Sequence, residues 1–281
     1  MALAGAGERL PHIHGLSYSA DGRQLLIPNH RGIAVYEQGR WTKTSGPEHD
    51  FMGYAATRNT LYGSGHPAAD SDIVNPLGLM KSTDGGRTWK MMGLEGESDF
   101  HRLAASYAAN ALYLINTGIN SRMNQIGMYL TVDEGVTWTY AEAEGLARDV
   151  NNLAVHPTDI NMVVAGAPEG LYLSRDAAGK FERVAAIRGA VAAVAFDRDG
   201  QHIWVSQDAP NGALVRVGLK DGTQAEVFQS PALGDDVVSF IAMNPVRHDE
   251  IAVTTRKRNV FLSKDQGRTW KQLAKGGFAL K

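Results

Sequence analysis

The 281-residue chain has no cysteine, which removes disulfides, thiolate metal sites and cysteine nucleophiles together. No stretch approaches the ~18 apolar residues that a membrane-crossing helix needs, so no membrane span is expected. Neither charge is in excess: 28 Lys and Arg face 30 Asp and Glu, a formal net charge of -2. That balance argues against a general nucleic-acid surface, and the one basic run, Arg256, Lys257 and Arg258, reads as a solvated loop. Nothing signals a nucleotide or flavin site. Residues 1–10, M-A-L-A-G-A-G-E-R-L, are too short and too little apolar for a working signal peptide, and fit the stub left when one is removed.

What is present is a repeat. S-T-D-G-G-R-T-W runs from Ser82 to Trp89, T-V-D-E-G-V-T-W from Thr131 to Trp138 and S-K-D-Q-G-R-T-W from Ser263 to Trp270, with a worn copy, S-R-D-A-A-G-K-F, from Ser174 to Phe181. The hydroxyl and the carboxylate can bond to backbone groups of a tight turn, and glycine supplies positive φ there without a steric penalty. Residues before each copy alternate, as in Leu171 and Leu173 or Val260 and Leu262, and residues after it are again strand-like. Each copy therefore joins two antiparallel strands.

These octapeptides resemble the Asp-box, or bacterial neuraminidase (BNR) repeat. The resemblance implies a β-propeller in which the box joins the third and fourth strands of a blade. The aromatic that ends each box then serves as a ruler. Trp41, Trp89, Trp138 and Phe181 stand at similar intervals, whereas Trp270 lies two intervals beyond Phe181, leaving room for one blade marked by Phe228. The chain is expected to be all-β: an N-terminal stub or edge strand over residues 1–11, then a single six-bladed propeller of four-stranded antiparallel blades over 12–281. Blade 5 has no box, and its Asp221–Gly222 pair signals an ordinary hairpin turn.

Alternating strand direction sorts the loops onto two faces. Starts of innermost strands, second-to-third-strand loops and blade connections share one face; the boxes lie on the other. His12, His14, His30, His49, His66 and His101 all fall on the first face in blades 1 to 3, against His156, His202 and His248 on the box face. Aligning the innermost strands puts His14, Met52, His101, Asn151, Ala192 and Ser239 in one row. His12, Asp50, Asp99, Asp149, Ala190 and Val237 form another two residues earlier, and a period of two places both rows on one strand face. Two long second-to-third-strand loops, in blades 2 and 3, would overhang the same region.

Three functions remain open. The first is a transition metal, copper or zinc, held by His14, His101 and His12, with His49, His30 and His66 as further candidates and Met52 as a thioether that would favour copper. The second is a glycoside hydrolase using Asp50 and Asp99, the separation of which would set its stereochemistry. The third is a non-catalytic scaffold that docks a protein. Arg31, Arg102 and Asn151 are candidate ligand contacts, for a small ligand, a metal or a glycan. Bland roles compete with each: histidines satisfied in a polar channel, carboxylates closing strand starts, arginines in ordinary salt bridges.

At family level the chain from about His12 onward is similar to Asp-box propellers such as sialidases, xyloglucanases, the sortilin propeller and photosystem assembly factors. H-I-H-G-L, H-D-F-M-G, S-G-H-P, N-P-L-G-L and E-S-D-F-H resemble bacterial glycosyl-hydrolase-like members of unestablished activity. Classical sialidase chemistry would place an arginine on the opening strand, where this chain has P-H-I-H-G. Family habit implies a periplasmic or secreted location.

Overall fold

The computed structural model describes residues 9–208, 213–220, 225–228, 230–231 and 233–280. Six separate antiparallel sheets form the molecule, five of four strands and one of five. Their innermost strands are Ser17–Tyr18, Asp50–Ala56, Leu103–Ala105, Asn152–Val155, Val191–Phe196 and Val238–Met243. Each touches the next, and the last touches the first, so the sheets close a ring as a six-bladed β-propeller around a central channel.

Burial follows from that ring. Second strands such as Leu25–Asn29, Val163–Ala167 and Ile251–Thr255 are buried along their whole length, because both faces of a blade pack against neighbouring blades. Outermost strands such as Arg40–Lys43 and Glu182–Arg183 are largely exposed. At least one side-chain hydrogen bond at each junction supplements the apolar packing. Ser17 and Tyr54 share a hydroxyl bond of 2.7 Å, and the Tyr62 hydroxyl donates to Glu134 at 2.9 Å. Tyr113 donates to the Ile160 carbonyl at 2.7 Å, and Asn151 to that of Val191 at 2.8 Å. Arg198 donates to the Met243 carbonyl, and Asn244 closes the ring onto Gly22 at 2.9 Å.

The four repeated turns share one hydrogen-bond scheme. The leading hydroxyl of Ser82, Thr131, Ser174 and Ser263 donates to Asp84, Asp133, Asp176 and Asp265, each at 2.8 Å. It also accepts the amide four residues on. In three copies a threonine closes the turn through both its amide and its hydroxyl, as Thr88 does on Asp84 at 2.9 and 2.7 Å. The worn copy has Lys180 there and keeps only the amide bond, at 2.9 Å. Its left-handed pair is Ala177 and Ala178, where the other copies end on Gly86, Gly135 and Gly267; a Cβ in that conformation is strained.

Three expectations need correction. The period-two alignment fails at the strand starts: blades 2, 5 and 6 carry a bulge at Met52, Ala192 and Ser239, and a bulge breaks the alternation of faces. In blades 1, 3 and 4 the equivalent residues His14, His101 and Asn151 precede the strand altogether. The last blade has a fifth strand, Phe278–Ala279, and Arg9 bridges Phe278 while the Leu10 amide donates to Gly277, so the start and end of the described chain meet at one outer edge. Phe228 ends the outer strand of blade 5 rather than opening it, and stacks on Trp204 at 4.6 Å. The Asp221–Gly222 turn lies outside the described residues.

The repeated turns set an acid limit. Hydrogen bonds from Thr88, Thr137 and Thr269 hold Asp84, Asp133 and Asp265 down to about 2, below the value of about 3.9 in an unfolded chain. A carboxylate lowered on folding stabilises above its unfolded value, and that contribution is lost as pH falls from about 4 towards 2. Thermal melting should therefore drop across that window. A variant carrying Asn at Asp84, Asp133 and Asp265 should melt lower at pH 6 and lose less on acidification; an equal pH slope would contradict the scheme.

Candidate functional site

The histidine-bearing face is built from chain entries into inner strands and from second-to-third-strand turns. His12 and His14 lie in the entry to blade 1, where the His14 amide donates to the Pro28 carbonyl at 3.1 Å. His30 sits in the adjoining turn Asn29–Gly32, which Asn29 tightens by accepting the Arg31 amide at 2.9 Å. These local bonds bring three imidazoles together. Their potential ligand nitrogens all lie within 4.8 Å of one another, and Nε2 of His14 and Nε2 of His30 are 3.2 Å apart. Nδ1 of His30 is bonded to Asp50 Oδ2 at 2.7 Å, which leaves Nε2 facing its neighbours. Burial, with help from His30, pushes His14 down to about 4, so its ring is neutral at neutral pH.

A second histidine-carboxylate unit repeats the pattern one blade on. Asp99 Oδ2 bonds to His101 Nε2 at 2.7 Å and lies 3.4 Å from His66 Nε2, while His66 Nδ1 bonds to the Asn75 amide oxygen at 2.8 Å. Asp50 and Asp99 thus occupy equivalent places in blades 2 and 3. Each uses Oδ2 on imidazole and has a buried Oδ1 with no partner.

The remaining candidates are dispersed. His49 is 2% exposed and its Nδ1 accepts the Ala68 amide at 3.0 Å, so it fastens the 67–78 loop. Met52 is the half-buried bulge residue of blade 2. Arg31 is exposed. Arg102 donates to the Val150 carbonyl at 2.9 Å, and burial lowers its affinity for its proton. Asn151 is spent on Val191. The blade 3 loop is drawn towards blade 2, where Ser121 and Asn120 bond to Glu97 and Ser98, rather than over the three imidazoles. Between blades 3 and 4 an open pocket of about 920 Å³ is lined by Glu97, Asp99, His101, Arg102, Asp149 and Asn151, among others.

Sequence reasoning found the face and its histidines but grouped them differently. His14 and His12 meet His30, whereas His101 stands with Asp99 and His66. The pairing of His30 with Asp50 carries no local signal, since the two residues come from different blades.

Comparison with solved structures shows the same fold. The chain is similar to the GH74 xyloglucanase from Xanthomonas campestris, with a TM-score of 0.62 at 16% identity, 97% of this chain matching 46% of that one. It is similar to the GH74 enzyme of Niastella koreensis, with a TM-score of 0.61 at 14% identity, covering 96% and 46%. YCF48, solved with a D1 peptide, matches with a TM-score of 0.56 at 16% identity, covering 97% and 82%. The chain spans less than half the length of the two GH74 enzymes. No protein-family profile matches it, and no curated protein matches its sequence.

His49 separates structural from chemical histidines. Replacing it with Ala orphans the Ala68 amide, which should cost about 1–3 kcal/mol and speed hydrogen exchange at Ala68. Unchanged protection there would refute the fastening role.

Proposed function

We propose that the channel mouth over blades 1 to 3 binds a transition metal through His12, His14 and His30, with Asp50 orienting His30. The observation that carries this reading is the 3.2 Å approach of two Nε2 atoms beside a third imidazole. A tetrahedral ion at roughly 2.0–2.1 Å from each nitrogen spans a pair about 3.3 Å apart. Three imidazoles suit zinc or copper, and a carboxylate on the far nitrogen of a ligating ring is the usual supporting contact. A neutral His14 can bind without first losing a proton. Three protein ligands leave a fourth position for water or a substrate. This grouping replaces the one centred on His101, which serves Asp99. The Asp-box resemblance, with its implied exported location, fits the same reading.

After incubation with zinc or copper and desalting, elemental analysis should find about one ion per chain. His14→Ala combined with His30→Ala should abolish uptake, and His101→Ala should retain it. Equal metal content in the double variant would sink the proposal.

A second reading is favoured by the pocket between blades 3 and 4, which places Glu97, Asp99 and Asp149 around a volume suited to a sugar. Under it the chain cleaves a glycoside, with xyloglucan the first substrate to try because a GH74 xyloglucanase shares the fold. Asp99→Asn should then lower turnover at least 100-fold, and no product from a broad β-glucan panel would remove this reading. Docking of a peptide, as in the YCF48 complex, is the third class of ligand.

A further inference from the structure

The 67–78 loop of blade 2 is held unevenly. Its second half is tied into the fold: the Leu77 amide donates to the Gly65 carbonyl at 2.8 Å, the Gly78 amide to that of Ser98 at 3.1 Å, and the Pro76 carbonyl accepts the Gly96 amide at 2.7 Å. The Leu77 side chain is fully buried, and Asn75 is bonded to His66. The first half, residues 67–74, has two bonds of its own, from the Ser71 amide to the Ala68 carbonyl and from the Ile73 amide to Ser71 Oγ. Among the described residues one hydrogen bond joins that half to the rest of the molecule. It runs from the Ala68 amide to Nδ1 of His49 at 3.0 Å.

The acceptor in that bond is titratable. An imidazole accepts through Nδ1 only when its proton is on Nε2; the imidazolium carries N–H on both nitrogens and has no lone pair to offer. Protonation of His49 and the Ala68 bond therefore exclude one another. The ring is buried and stands edge-on to Phe51, and burial disfavours its charged form, so the bond is intact at neutral pH. Asp70, in the same half of the loop, is the one charged group that acts on the ring, and it favours the proton. The other charged neighbours are engaged elsewhere or turned to solvent. Glu48 pairs with Lys43 and Asp50 with His30, while Arg31 in the adjoining turn and Asp72 in the loop are exposed.

We propose that residues 67–74 form an acid-released strap on the histidine-bearing face, latched by His49 at neutral pH and let go when that imidazole takes a proton. The restraint is fully present above the ordinary histidine value of about 6.5, and is lost as pH falls through the lower value of the folded ring. The freed segment then moves between two fixed ends, His66, which the ladder pairs with Asp50, and Asn75. One hydrogen bond is a small restraint against the chain entropy of such a segment, so its loss is enough to release it. The inference depends on neither the metal nor the glycoside reading.

The chain has no cysteine, so spin labels can be placed in pairs on the whole protein. Labels at Asp72→Cys and Glu182→Cys, the second on the exposed outer strand of blade 4, report the strap against the ring. Labels at Lys90→Cys and Glu182→Cys, both on outer strands, report the ring alone. On titration from about pH 8 downward, the strap distance should be narrow at first and then broad while the ring distance stays narrow. His49→Asn puts a carbonyl oxygen near the place of Nδ1 and cannot titrate, so its strap distance should not change with pH; His49→Ala should be broad at every pH. A strap distance that holds until the ring distance also fails overturns the proposal, and so does an equal response to acid in His49→Asn. Should His49→Ala fail to fold, the comparison of the parent chain with His49→Asn still decides.

Discussion

A blade of this protein can bury its two faces only against other blades, and everything else in the structure depends on the ring closing. Six junctions carry that load, and each adds a polar tie to the apolar contact. Glu134 shows how such a tie is built. It gathers Lys81 and Tyr62 from blade 2 and Asn110 from blade 3, so the proton and charge demands of three side chains meet at one carboxylate. Closure between the last and first blades uses the same means, with Asn244 and Arg247 on the Gly22 carbonyl and Trp41 on that of Leu273. The fit leaves little slack. A Cβ added to Gly53 would sit 1.7 Å from the Phe100 carbonyl of the next blade, which is why a glycine interrupts an otherwise strand-like run.

Closure also divides labour between the two faces. The box face is occupied by self-satisfied turns, in which a hydroxyl and a carboxylate spend their hydrogen bonds on their own octapeptide. Such turns can stiffen a hairpin but have few donors or acceptors left for a ligand. The opposite face receives the chain entries and the irregular loops, where side chains from different blades converge without a strand ladder to occupy them. Bulges at Met52, Ala192 and Ser239 mark where the ladder yields to that irregular rim. Six of the nine histidines gather there, while Asp197, Asp199 and His202 form a second titratable cluster on the face of the repeated turns.

The repeats, the blade count and the distribution of histidines between faces were legible in the sequence because each follows from local pattern or from strand direction. The partners of the histidines were not. His30 meets Asp50 across 20 residues and a blade boundary, and His49 meets the Ala68 amide 19 residues further on. A bulge leaves no mark on composition, so a period-two alignment carried past Met52 inherits the wrong face. Arg198 went unread for a related reason. It sits in an ordinary D-R-D-G turn on the face of the repeated turns, and only the ring brings it against Tyr107, two blades away.

The electrostatics of the mouth constrain what it can hold. Protonation of His14 is opposed by burial first, then by His30, His12 and His101, and is favoured only by Asp50. This cluster, in which His14 resists its proton, holds two Nε2 atoms 3.2 Å apart with a third imidazole beside them. It can respond by sharing a proton between two rings, or by taking up a cation that accepts from several rings at once. The second solution also uses the Asp50 charge, since a carboxylate behind His30 strengthens that ring as a donor. Asp99, with His66 and His101 both on one oxygen, has already spent its charge within its own blade pair. Equivalent sequence positions therefore produce unequal chemistry, and the difference lies in which neighbouring blade supplies the second and third imidazoles.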